Sequence, residues 1–387
     1  MQTETSALSW LGTPQEHAKL RLPGTDRARL PEQTRAMADR AAAAVGVTRV
    51  ADITRLDTIG IPTFQAVRPL SSTLAVSQGK GVTAELARLS AVLESVETWH
   101  VEQPMTPAVT APPGALDLPY DVYALAPSTP SLLHDGLPVD WVPARSLAGG
   151  APTLLPLETV RLSLDQRTGW HAPAFLASTN GLASGNTLVE ATLHGLYEVI
   201  ERDATTAAVT GGGLGVRVDP RSLGSAAADG LCALIERAGV TLEVRLAASP
   251  TGLPCFLAWL SCADYPAAMF GFGCHLDAAI ALTRAVTEAA QTRLSYIAGA
   301  RDDLRADIDD GGARRRRETS GPAADLAGLL APRPSYASLL DDLTDVVHRA
   351  TAAFGQPPLL ADLTRPEVGV PVVKVVAPGA RISPEVL

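Results

Sequence analysis

The sequence predicts an α/β (α+β) protein built from a recurring element: strands, a glycine-bearing loop, then an acidic helix. Three observations predict it. Short stretches rich in β-branched and apolar residues alternate with longer segments of helical period along the 387 residues. Three of those helical segments, far apart, follow glycines: Gly79-Lys80-Gly81, Gly181 to Gly185, and Gly271-Phe272-Gly273. The repeats are too distant and unequal for a solenoid. No strand runs into G-x-G-x-x-G or G-x-x-x-x-G-K-[ST], so dinucleotide-binding and P-loop folds are disfavoured.

The elements follow in order. Met1 to about Leu30 shows no clear period and is expected to be partly mobile. An alanine-rich helix spans about Pro31 to Val45. Strands follow at Val47-Ile53, Ile59-Val67 and Leu74-Gln78, then a helix from about Ala84 to Val101. Proline-dense Pro104 to Pro130 reads as an irregular excursion. Strands resume at Val160-Leu164 and Ala172-Ala177, before a helix over Thr187-Thr206. Beyond Gly211 come a helix at Arg221-Ala238, strands at Thr241-Ala247, Pro254-Cys262 and Met269-His275, and a helix over Ala278-Ala298. Asp307 to Pro334 reads as a polar, flexible stretch. A helix at Tyr336-Phe354 and strands near Leu359-Leu363 and Pro371-Val376 close the chain.

Composition narrows the function classes. With 46% hydrophobic and 19% charged residues the chain can bury a substantial core. A formal charge of −9 and 4% aromatics argue against nucleic acid as a partner. Arg314 to Arg317 follows the acidic Asp302 to Asp310, and the pair reads as a solvated loop. No apolar run reaches membrane-spanning length and no signal segment opens the chain, so a cytoplasmic protein is expected. Cys232, Cys255, Cys262 and Cys274 lack zinc-site spacing and read as free thiols.

The helix faces carry the chemistry. Residues three or four apart share a face. Ser90, Glu94 and Glu97 therefore align, as do Asn186, Glu190, Glu198 and Glu201, and again Arg284, Glu288 and Gln291. One acidic stripe is an ordinary exposed face, but three behind similar loops point to a shared cation. Mg2+ takes oxygen ligands and bridges carboxylates to phosphates. Helix N-termini behind glycines suit phosphate. Plainer readings stand beside this one. Lys80 fits a surface turn, and Arg284 an intrahelical pair with Glu288. His194 fits helix packing better than the site, His100 and His275 fit structural roles, and Asp203 fits either a cap of the helix network or a supporting contact to Arg202.

The ordered blocks Ser77-Gln78-Gly79-Lys80-Gly81, Ser90 to Glu97, Gly181 to Asn186, Glu198 to Asp203, Gly271 to His275, Leu282 to Arg293, Arg301-Asp302-Asp303 and Pro371 to Gly379 resemble the YcaO family of ATP-dependent amide-activating enzymes. The resemblance covers roughly residues 45 to 380. It implies an N-terminal extension (1–45), a YcaO catalytic domain (46–380) and a C-terminal tail (381–387). It implies ATP and Mg2+ as cofactors. By resemblance, Glu94, Glu97, Glu190, Glu198 and Glu201 hold Mg2+ and phosphates, and Lys80, Arg202 and Arg284 face phosphate oxygens. Ser90, Ser184, Asn186, Glu288 and Gln291 complete the site, with Glu201, Arg202 and Gln291 nearest the chemistry.

The implied reaction is activation of a peptide backbone amide by O-phosphorylation during maturation of a ribosomally made peptide. The alternatives are a thioamide, an azoline or a macrocyclic amidine as product, or a nucleotide-binding scaffold without catalysis. Another ATP-dependent ligase, acting on a free carboxylate, is the runner-up enzyme. A thioamide is expected, because the sequence shows no fused leader-binding domain and no Pro-x-Pro-x-Pro ending. The expected partners are a precursor peptide and a TfuA-like or peptide-recognition protein, with a homodimer as the expected assembly.

Overall fold

The structure, a computed structural model, describes residues 8–162, 174–211, 213–263, 268–300, 322–331 and 334–383. The charged runs between 302 and 317, the block at Arg301-Asp302-Asp303 and the end of the tail (384–387) lie outside those residues.

A hairpin of β1 (Leu20–Leu22) and β2 (Thr25–Arg27) leads into helix α1 (Pro31–Ala44). Strands β3 (Arg49–Asp52), β4 (Thr63–Val67) and β5 (Val76–Lys80) form an antiparallel sheet, and helix α2 (Ala84–Glu102) packs on it. Next come β6 (Val109–Ala111), β7 (Val139–Ser146), β8 (Pro152–Pro156), a short helix α3 (Leu157–Val160), β9 (Leu182–Ser184) and helix α4 (Leu188–Thr210). A four-stranded antiparallel sheet contains β10 (Val216–Val218), β11 (Thr241–Ala247), β12 (Cys255–Ser261) and β13 (Met269–Cys274). Helices α5 (Ala226–Arg237) and α6 (Ala278–Ala298) cover one of its faces. Helix α7 (Leu339–Phe354) and strands β14 (Leu359–Asp362) and β15 (Val372–Val376) return to the middle sheet, whose order is β6-β7-β14-β15-β9 with β8 beside β7.

Three strand–helix units organise the molecule: β5–α2, β9–α4 and β13–α6. Each helix is capped by the side chain of the residue before it, Thr83, Thr187 or Asp277. Each cap precedes a glutamate by the same interval, giving Glu94, Glu198 and Glu288. One helical turn further stand Glu97, Glu201 and Gln291. The helix of each unit also touches the strand of the next: α2 meets β9, α4 meets β13, and α6 meets β5. The three units thus close a ring.

Gly79 lies in β5, and Gly271 and Gly273 lie in β13; these glycines serve this packing, which corrects the expectation of glycine loops at those two places. A Cβ on Gly79 would stand 2.0 Å from the Ala91 amide nitrogen, and one on Gly273 2.1 Å from the Ala281 carbonyl oxygen. Fully buried alanines on the helix and bare glycines on the strand let the two backbones approach closely.

Other expectations also change. The strand expected at Val160-Leu164 is replaced, as far as it is described, by the end of α3 and an irregular Arg161-Leu162. Of Ala172-Ala177 only the last four residues are described, and Phe175 makes a single bridge to Pro127. The 104–130 excursion contributes β6 to a sheet. Its partner β7 escaped notice because Pro143 interrupts an otherwise strand-like run; it and the prolines of β8 sit where proline is tolerated, beside an edge. The N-terminal stretch is packed from residue 8 onward. Leu8 is buried in the core, and Lys19 bridges Asp26 and Asp342 at 3.4 and 2.7 Å.

Candidate active site

The ring of units surrounds a cavity of about 920 Å3. All thirteen residues singled out from the sequence line it: Lys80, Ser90, Glu94, Glu97, Ser184, Asn186, Glu190, Glu198, Glu201, Arg202, Arg284, Glu288 and Gln291. Helix periodicity puts them on the inner face, and the neighbouring strand fixes several of them. Glu97 Oε1 accepts from the Ser184 amide at 2.7 Å and its hydroxyl at 2.6 Å. Glu201 Oε2 accepts from the Cys274 amide at 3.0 Å. Glu94 and Glu288 each accept from an amide of their own unit's strand, Gln78 and Phe272, at 3.4 Å. One oxygen of each carboxylate is thereby tethered to a sheet, which orients the group toward the lumen.

Asn186 links three elements. Its Oδ1 accepts from the Thr34 hydroxyl at 2.8 Å, and its Nδ2 donates to both oxygens of Glu190 at 3.1 Å. Glu190 also accepts from the Ala28 amide at 2.8 Å. Arg27, Arg29 and Thr34 line the cavity too, and the sequence reading missed them. The stretch before residue 45 has no acidic stripe to flag it; the paired arginines after a short turn were its only signal.

Several plainer readings fall away. His194 faces the lumen, and Arg284 Nη1 donates to its Nε2 at 2.9 Å. Burial, then the cations Arg284, Arg27 and Lys80, hold the imidazole well below its usual range, so it is neutral and can accept. Glu288 pairs with Lys80 rather than with Arg284. Asp203 holds Arg381 through two side-chain contacts of 2.9 Å and the Arg381 amide at 2.8 Å.

The electrostatics show what the cavity is built to receive. Burial raises Glu97 to about 8, helped by the charges of Glu94 and Glu198 and opposed by the Ser184 bonds. Burial and then Glu288 raise Glu201 to about 7, against Arg284 and Arg202. Glu198 is raised by burial although Arg202 and Lys374 oppose it. Glu288 is held low despite burial, by Lys80, Arg202 and Arg284. Carboxylates that resist ionisation together are relieved by a divalent cation. The buried Nε of Arg284 has no hydrogen-bond partner, which suits an anion. Among the described residues no three acidic, histidine or cysteine side chains form a ready-made metal cage. Mg2+ does not require one, because it retains water and uses one or two carboxylates plus phosphate oxygens. The donor set therefore fits Mg2+ carried with a nucleotide.

A pH dependence follows. Glu97 is raised from an ordinary carboxylate to about 8 in the folded chain. Its protonated form is favoured by folding, so its contribution is complete at acid pH and is lost as pH rises from ordinary carboxylate values through about 8. Thermal melts of the metal-free protein should show falling stability over that range. Glu97→Gln should flatten the fall, and Mg2+ should bind more tightly as pH rises. A melting temperature that climbs between pH 5 and 8 equally in both proteins would refute this.

Comparison with known proteins decides the family. The family described as YcaO cyclodehydratase, ATP- and Mg2+-binding, matches residues 78–381. The chain belongs to the YcaO family. A relative, an uncharacterised protein of Mycobacterium tuberculosis, is 38% identical over 367 residues, 93% of this chain and 83% of that protein. Another, from Rhizobium leguminosarum bv. trifolii, is described as an uncharacterised protein in the tfuA 3′ region and is 34% identical, covering 92% of this chain and 89% of its own. The structure of YcaO from Methanopyrus kandleri bound with AMPPCP and Mg2+ superposes with a TM-score of 0.77 at 24% identity, over 94% of each chain, and shares the YcaO fold. As a YcaO protein, this chain uses the family's cofactors, ATP and Mg2+. No helix among the described residues is long and apolar enough to cross a membrane.

Proposed function

We propose that this YcaO protein uses ATP to activate a backbone amide of a ribosomally made peptide, and that its product is a thioamide. The observation that carries the reading is the ring itself: three units bring Glu94, Glu97, Glu190, Glu198 and Glu201 and the cations Lys80, Arg202 and Arg284 around one cavity. In this reading the five glutamates hold Mg2+, and Lys80, Arg202 and Arg284 meet phosphate oxygens. Ser90, Ser184, Asn186 and Glu288 complete the nucleotide site, and Glu201, Arg202 and Gln291 stand nearest the reacting group.

An amide oxygen is a poor leaving group. When bound, ATP supplies a phosphoryl group that makes it a good one, and Mg2+ shields the phosphate charge. For a thioamide, sulfide adds to the carbonyl carbon, the oxygen is phosphorylated, and phosphate departs; ADP and phosphate are released, and sulfur replaces oxygen. The chain's part is positioning and charge stabilisation, for which tethered carboxylates and half-buried cations are suited. The tfuA neighbourhood of the Rhizobium relative supports a TfuA-like partner. A complete set of inward carboxylates favours an enzyme over a nucleotide-binding scaffold.

The test is to incubate the protein with ATP, Mg2+, sulfide and peptides from its genomic neighbourhood, with and without a TfuA-like protein. Peptide- and Mg2+-dependent ADP release is expected, with exchange of one oxygen for sulfur by mass spectrometry. Loss of one water without sulfur gain makes the product a ring. ADP release driven by a free carboxylate instead of an amide makes the protein a ligase.

A further inference from the structure

The sheet of β10 to β13 has two unlike faces. Phe256, Ala258 and Leu260 pack against α5 and α6, where Gly271 and Gly273 admit the helix. The other face presents two cross-strand pairs, Leu257 with Phe272 and Trp259 with Phe270. All four side chains line the cavity; Leu257 and Trp259 are buried in the core that α4 shares with this face, and Phe272 and Phe270 stand more open toward the lumen. Phe270 is 39% exposed, so this wall reaches solvent. At its inner end the Arg202 guanidinium lies over the Phe272 ring, 5.9 Å from the centroid. The wall is therefore continuous with the charged cluster proposed to hold the reacting phosphate.

We propose that the open part of this wall, Phe270 and Phe272 backed by the buried Leu257 and Trp259, seats an aromatic or aliphatic side chain of the substrate peptide next to the amide that is activated. The inference rests on the amide-activation reading and names the peptide's subsite. An extended peptide advances ~3.3–3.6 Å per residue. Side chains two residues apart share a face, so an extended peptide whose amide lies beside Arg202 can lay one flanking side chain on Phe272 and the next one on that face on Phe270. Large aromatic side chains each offer roughly 150–250 Å2 for burial, which a flexible peptide needs to offset its ordering. The same cavity has a second apolar lining, Pro23, Val82 and Leu86, that a nucleotide base can meet.

The test separates peptide from nucleotide. The probes are acetyl-Gly-Gly-Phe-Gly-Gly-amide and its Glu counterpart, followed by saturation-transfer NMR on the full chain with Mg2+ and AMPPCP. The Phe peptide should bind and the Glu peptide should not. Phe270→Ala should weaken the Phe peptide about tenfold, and Phe270→Tyr should restore it. Phe272→Leu, which keeps an apolar side chain in place, should also weaken it. AMPPCP affinity by calorimetry should be equal in wild type and Phe270→Ala. A fall in AMPPCP affinity would assign the wall to the base, and unchanged peptide binding in both variants would remove its role; either overturns the proposal. Peptide bound through the wall with no ADP release on any amide would sink amide activation and leave the subsite standing. Peptide-stimulated ADP release that is equal in wild type and Phe270→Ala would do the reverse.

Discussion

Glu201→Gln should lower peptide-dependent ADP release about 10²–10³-fold, the range for removing one preorganised charge from a transition state, while leaving the melting temperature of the metal-free protein unchanged or higher. Glu201 is buried and raised to about 7, so in the absence of metal its ionised form is disfavoured by folding. The Gln side chain keeps the size and an oxygen that can accept from the Cys274 amide, now 3.0 Å from Oε2. It loses the negative charge a cation would need. Steady-state ADP release and differential scanning fluorimetry, run with and without Mg2+, read both halves. Wild-type turnover at an unchanged melting temperature would remove Glu201 from the chemistry.

Gly79→Ala should cost about 3 kcal/mol or more in urea unfolding, at the upper end of the usual penalty for overpacking, and abolish nucleotide binding with it. The added Cβ would lie 2.0 Å from the Ala91 nitrogen and 2.3 Å from the Ala87 oxygen, both helix backbone atoms that cannot step aside by changing rotamer. Helix α2 must then lift off β5, and Glu94 and Glu97 move with it. Gly230→Ala is the matched control. Gly230 is exposed within α5, with nothing inside 4 Å of where a Cβ would stand, so alanine there should stabilise by ~0.5–1 kcal/mol. If Gly79→Ala is as stable as wild type, the close strand–helix contact is not what the glycine is for.

These two variants mark what was legible in the sequence. The acidic faces were, because a helix converts spacing into direction: Glu94 with Glu97 and Glu198 with Glu201 had to point together, and all line one cavity. The three long helices were also legible, α6 to its ends, since apolar period and capping residues agree there. The meaning of the glycines was not. A glycine that turns a loop and a glycine that admits a helix look alike until the helix's own alanines are placed beside it. Nor could sequence show that His194 meets Arg284, or that Arg27, Arg29 and Thr34 reach the site, because those contacts join residues far apart in the chain. Pro143 hid β7 for a related reason: its tolerance depends on which neighbour the strand has.

The closed circuit of α2 on β9, α4 on β13 and α6 on β5 has a consequence for how this protein behaves before it is fully folded. Each joint is made by segments distant along the chain, so the circuit closes late and as a unit. A partly assembled chain with two joints made has no enclosed lumen and no matched set of carboxylates. Mg2+ and nucleotide therefore recognise only the finished tertiary structure, and any affinity they have for it adds to its stability in proportion to the logarithm of their concentration. Ligand occupancy becomes a gauge of maturity: newly made chains would gain their last increment of stability at the moment they become competent to act.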